Sequence, residues 1–95
     1  MSSAAPLIEL RLPSVLKVMC GADSVRVRGH TLPEVLEAAY AELPQLRHHL
    51  RQDDGELRPH LLLLVNGETV FREEFPTWRL QEGDQVLVHQ AISGG

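Results

Sequence analysis

The sequence closes on Gly94-Gly95, and these two residues are the ones best suited to do chemistry. Glycine loses more backbone freedom on ordering than any other residue, so a bare Gly-Gly finishes a fold poorly. It presents a carboxylate well. Without Cβ atoms, Gly94 and Gly95 make a thin thread that fits a narrow slot in another protein. Ile92 and Ser93 just before them have little to pack against, so residues 92–95 read as a flexible tail. A frayed chain end has the same look, since termini are often poorly ordered. The rest of the sequence has to separate the two.

Other side chains with chemical potential are less persuasive. Cys20 follows Val18-Met19 and precedes Gly21, with no fixed basic neighbour to activate a thiolate, so it reads as a structural or incidental cysteine. His48, His49 and His60 are candidate metal ligands by type. Adjacent histidines cannot both face one ion from a helix, and no carboxylate has convincing ligand spacing, so no metal site is expected. Phe75 and Trp78 read as core or as cover for a sheet, and Asp53-Asp54 as a solvated turn.

Ninety-five residues make one domain, with a core large enough to fold alone. The 43% apolar content is ordinary for a soluble globular protein, and no apolar run approaches a membrane span. The opening, Met1 to Pro6, lacks both a basic start and an apolar core, which argues against a secretory signal and for the cytoplasm. One cysteine excludes an internal disulfide framework and a thiolate-held cluster. A net charge of -4 argues against a nucleic-acid binder.

The elements that must position the tail follow an α+β pattern. Leu7 to Leu12 alternates imperfectly and stops at Pro13, a first strand. Ser14 to Met19 suits a turn of helix capped by Ser14, and Ser24 to Arg28 alternates cleanly into an antiparallel second strand. Thr31 with Glu34 three residues on has capping-box spacing, with Pro33 in the first turn. Leu32, Val35, Leu36, Ala39, Tyr40 and Leu43 then mark one buried helical stripe, which Pro44 ends. Pro44 to Leu50 has room for a further short turn before the polar loop 51–56.

Strands return with Leu61 to Val65, the hairpin turn Asn66-Gly67, and a short arm from Glu68 to Phe71. Glu82-Gly83-Asp84 turns the chain into a last strand, Gln85 to Gln90. One amphipathic helix across a mixed four- to five-stranded sheet buries these stripes most economically, which is the β-grasp layout. Leu61 to Val65 is apolar on both faces, although a sheet covered on one side should alternate. If Val86 and Val88 face the helix, Leu87 joins Leu62 and Leu64 on the outer side, with His89 beside them. An uncovered apolar face suggests a partner surface, unless the 72–79 loop folds over it.

In order and spacing, these pieces resemble the MoaD/ThiS family of ubiquitin-like sulfur carriers over nearly the whole chain. The resemblance is carried by Leu10-Arg11-Leu12-Pro13 and by the helix start Gly29-His30-Thr31-Leu32-Pro33-Glu34-Val35-Leu36. It continues through Asp54 to His60, Val65-Asn66-Gly67-Glu68, Leu80 to Val86 and the closing Ser93-Gly94-Gly95. It implies a ubiquitin-like β-grasp fold and a chain that is a co-substrate rather than an enzyme. A ubiquitin-activating-type adenylyltransferase (MoeB/ThiF-like) would use ATP to adenylate Gly95. A persulfide from a sulfurtransferase or cysteine desulfurase would then leave a thiocarboxylate for an acceptor synthase subunit, MoaE-like or other. The chain itself would need no cofactor. The resemblance also admits a ubiquitin-like modifier joined to lysines through Gly95. The chain length and the long 46–60 segment look more like the MoaD branch than the shorter ThiS branch.

Overall fold

In the computed structural model, which describes residues 4–90, the chain forms a five-stranded sheet with helices packed on one face. The elements are β1 (Leu7–Arg11), α1 (Ser14–Cys20), β2 (Ser24–Arg28), α2 (Leu32–Glu42), α3 (Pro44–Leu50), β3 (Leu61–Val65), β4 (Glu68–Val70) and β5 (Gln85–Gln90). The strand order is β2-β1-β5-β3-β4. β1 pairs antiparallel with β2 and parallel with β5, while β5 and β4 flank β3 antiparallel. This is the β-grasp arrangement that the element order predicts.

Between sheet and helices lies one core. Ile8, Leu10, Leu32, Val35, Ala39, Leu63 and Val86 are fully shielded from solvent. α2 starts where its cap predicts: the Glu34 N–H donates to Thr31 Oγ1 at 3.5 Å. The Glu34 carboxylate reaches back one residue further than a capping box requires and accepts from the His30 N–H at 2.8 Å. At the β3–β4 hairpin Asn66 and Gly67 hold φ 51° and 88°, the left-handed pair that a tight hairpin demands. Asn66 also anchors the last strand: its Oδ1 accepts from the Gln85 N–H at 2.9 Å, and its Nδ2 donates to Asp84 at 3.0 Å.

One local expectation needs correcting. Ser14 is not a cap, because Pro13 holds that position with extended backbone and Ser14 is already helical, with no side-chain cap bond. The further turn expected over Pro44 to Leu50 is present as α3. Proline suits its first turn, where the missing N–H is not needed. The 46–60 segment packs on the core: Leu46, Leu50 and Leu57 are buried, and Arg51 bridges to Leu57. Arg72, just after β4, pins this segment by donating to the carbonyls of Leu57, Arg58 and Leu61. Among the described residues no helix is long and apolar enough to cross a membrane.

Candidate functional site: the outer sheet face and the end of β5

β3 and β5 lie at the middle of the sheet, and their register decides which side chains meet. Leu62 stands opposite His89 and Leu64 opposite Leu87, while Leu61, Leu63 and Val65 point the other way into the core. Val86 and Val88 are buried, so Leu87 and His89 must face outward, because successive strand residues alternate. The four partner-surface residues therefore share the face away from the helices. Leu62, Leu64 and Leu87 are half-buried and His89 is exposed.

The 72–79 segment reaches this face only at its β4 edge, where Arg72, Glu73 and Phe75 line a hollow with Leu62. Phe75 and Pro76 line a hollow with Pro33, Leu36 and Tyr40 of α2, on the helix side of the β4 edge. Phe75 and Trp78 pack against the core as partly buried side chains. Sequence reasoning missed Phe71, which is 65% exposed and lines a hollow with Leu62. Thr69 pairs with Leu64, so alternation carries Phe71 to the outer side, a step that needs the β4 register.

Toward β1 and β2 the same face becomes charged. Glu9, Arg11, Ser24, Arg26 and Arg28 occupy its outward positions. Glu9 accepts from Ser24 Oγ at 3.1 Å and Gln85 Nε2 at 3.2 Å, and lies 3.8 Å from Arg11. Arg28 donates to the Ala5 carbonyl at 2.8 Å and lies 3.9 Å from Glu82. Such exposed pairs add little stability. Their contribution is a polar border to the aliphatic strip.

β5 ends at Gln90. Ala91, Ile92, Ser93, Gly94 and Gly95 lie outside the described residues, so the predicted tail has no geometry here. Gln90 lines a hollow between α1 and α3 with Val15, Met19, His48, His49, Arg58 and His60. Three histidines thus come to one place that spacing alone did not reveal. Among the described residues no group of three or more His, Cys, Asp or Glu side chains could hold a metal ion. Cys20 is a half-buried free thiol in the last turn of α1. On α2, burial, then the charge of Glu37, pushes the Tyr40 phenol up to about 12. Leu62, Leu64 and Leu87 thus form an aliphatic strip on the outer face, on and beside the strand that leads toward Gly94-Gly95.

Known proteins share the family and the fold. The ThiS family matches residues 23–95. Small archaeal modifier protein 3 of Haloferax volcanii is 32% identical over 91 residues, 93% of this chain and 98% of its own length. The crystal structure of SAMP1 from Haloferax volcanii superimposes with a TM-score of 0.79 at 29% identity, covering 94% of this chain and 99% of that one. A chain of the Amycolatopsis orientalis BexX/CysO complex superimposes with a TM-score of 0.77 at 21% identity, over 93% of this chain and 99% of its own, a likeness of fold.

Proposed function

The chain belongs to the ThiS family, and from that premise we propose that it carries sulfur as a thiocarboxylate on Gly95. Members of this family are small ubiquitin-like carriers and modifiers, not enzymes. What supports the carrier reading is the placement of an aliphatic strip, Leu62, Leu64 and Leu87, on the sheet face beside the strand that leads into Gly94-Gly95. A ubiquitin-activating-type adenylyltransferase docks on that strip, with His89, Ile92 and Ser93 guiding the tail into its site.

The Gly95 carboxylate attacks the α-phosphate of ATP, giving an acyl adenylate and pyrophosphate. A persulfide from a sulfurtransferase or cysteine desulfurase then attacks the acyl carbon and AMP leaves. Reductive cleavage of the resulting acyl disulfide by a second thiol frees the thiocarboxylate. Glycines suit this chemistry because a side chain near the reacting carbon would displace it, and an error of about 1 Å costs on the order of a hundredfold. The acceptor is the large subunit of a synthase in a sulfur-requiring biosynthesis, with molybdopterin formation the leading candidate from the MoaD-like length of the 46–60 segment. The setting is the cytoplasm.

One observation favours a second reading. A relative 32% identical over nearly its whole length is named a modifier protein, so Gly95 could instead end in an isopeptide bond to a lysine of another protein. Both readings share the adenylate. Incubation with ATP, a persulfide source, a thiol reductant and the activating enzyme encoded in the source genome, followed by intact mass spectrometry, tests them. Exchange of one oxygen for sulfur supports the carrier. Lysine conjugates without that exchange support the modifier. No change of either kind refutes both.

A further inference from the structure

Apolar contact has no direction. Leu62, Leu64 and Leu87 can hold a partner on the outer face, but three aliphatic side chains say little about which way round it sits. Orientation matters to the proposed function, because the chain end must be delivered into one site. The charge on the same face supplies it.

The outward strand positions carry Arg11, Arg26 and Arg28 against a single carboxylate, Glu9. The chain as a whole leans the other way, with nine basic and thirteen acidic residues. Glu9 is already engaged by Arg11 at 3.8 Å, Ser24 and Gln85. Arg28 has Glu82, in the turn before β5, at 3.9 Å. Arg26, exposed on the edge strand β2, belongs to neither of the ion pairs found among the described residues. At the opposite edge Glu73 lines a hollow with Leu62 and Phe71. The face thus runs from cationic at β1 and β2, through aliphatic, to a carboxylate beside β4.

Size makes the arginines part of any stable contact. Five strands spaced about 4.8 Å apart, with about five residues each at roughly 3.3 Å, present about 400 Å² in projection. A stable interface takes about 800 Å² of accessible surface from each partner. A docked enzyme therefore covers the β1–β2 end as well as the leucines. Guanidinium groups covered without counter-charges would lose water without compensation, whereas carboxylates pair with them bidentately. Resting on the reading above that an activating enzyme docks here, we propose that its surface sets carboxylates opposite Arg11, Arg26 and Arg28, beside the apolar patch that covers the leucines. This charge contact fixes the orientation in which the chain docks.

Adenylation is followed by ATP–pyrophosphate exchange with the activating enzyme encoded in the source genome. Wild type, Arg26→Glu, Arg26→Gln and Arg47→Glu are compared from about 20 mM to about 500 mM salt, where the screening length shortens from roughly 20 Å to about 4 Å. Arg47, exposed on α3, gives the same change in net charge on the helix side of the sheet. At low salt Arg26→Glu is expected to lower kcat/KM by about tenfold, mainly through KM, and Arg26→Gln by about threefold. Arg47→Glu should stay within about twofold of wild type. The gap at position 26 should close as salt rises. Arg26→Gln removes the charge without setting a second carboxylate against Glu9, so it stays informative if Arg26→Glu weakens the β1–β2 pairing. Position-26 variants equal to wild type, or equal damage from Arg47→Glu, overturn the inference and leave the carrier reading standing. No exchange with wild type at any salt refutes both. A wild-type dimer that Arg26→Glu dissociates, seen by sedimentation, makes a second copy the occupant and also overturns the inference.

Discussion

The two faces of the sheet are built from nearly the same side chains and do different work. On the inner face Leu61, Leu63, Val65, Val86 and Val88 are buried in the core. On the outer face Leu62, Leu64 and Leu87, one residue out of phase, remain half-exposed next to Phe71. Full burial of a leucine stabilises a fold by about 1.5–3 kcal/mol, so the inner set carries the stability. The outer set has apolar area still in water, which docking of the proposed partner would remove. One five-residue strand therefore contributes to folding with one face and, in the proposed function, to docking with the other.

That division can be broken, first at its inner side. Leu63→Ala empties a fully buried position and should cost about 2–5 kcal/mol in urea denaturation. A loss well below that would mean the inner face is not the packed core described here. Gly29→Ala comes next. A Cβ there would lie 2.9 Å from both Val35 Cγ2 and the Val35 backbone nitrogen, at the start of α2. The helix must shift to admit it, at about 1–3 kcal/mol.

Tyr40 sharpens the inner side by titration, since this is the chain's single tyrosine. Its phenol is pushed from 10.0 to about 12, mainly by burial against α2's neighbours. Below the ordinary value both states keep the proton and stability is flat. Above it the unfolded chain ionises first, the native state binds more protons, and stability falls as pH rises toward 12. The expected loss is about 2 kcal/mol, seen as a downward slope that Tyr40→Phe removes. Absorbance at the tyrosinate band should give a midpoint near 12 for the folded chain. The smallest effect on folding belongs to the outer face. Leu64→Ser should change stability by less than about 1 kcal/mol. It should still raise the apparent KM for adenylation by about tenfold, the loss of one apolar contact worth about 1.4 kcal/mol. Equal damage to folding from Leu63→Ala and Leu64→Ser would erase the distinction between the faces.

Much of this division is legible in the residues. Leu61 to Val65 reads as a strand apolar on both faces because every position is aliphatic, and Asn66-Gly67 fixes where it turns. The stripe from Leu32 to Tyr40 announces α2 through its spacing and cap. What stays hidden depends on context rather than on pattern. The turn expected over Pro44 to Leu50 is a seven-residue helix, since the ring that ends α2 also favours the first turn of the next helix, but its length is not legible. Leu46, Leu50 and Leu57 are scattered among charged residues, and only tertiary packing makes them core. Ser14 lost its capping role to Pro13, whose extended backbone already ends the strand. In the candidate site, alternation reveals Leu62, Leu64 and Leu87. Phe71 depends on the β4 register, and the grouping of His48, His49 and His60 beside Gln90 depends on how α3 packs against α1.

The most direct test compares the intact masses of wild type and of a chain lacking Gly95, both purified from the source organism. The account predicts that a fraction of wild type carries sulfur in place of one oxygen at its terminus. It also predicts that the shortened chain never does, although its thermal unfolding matches wild type. A shortened chain that still acquires the sulfur, or a wild type that never acquires it in the presence of its activating enzyme and a persulfide source, would contradict a carrier role for Gly95.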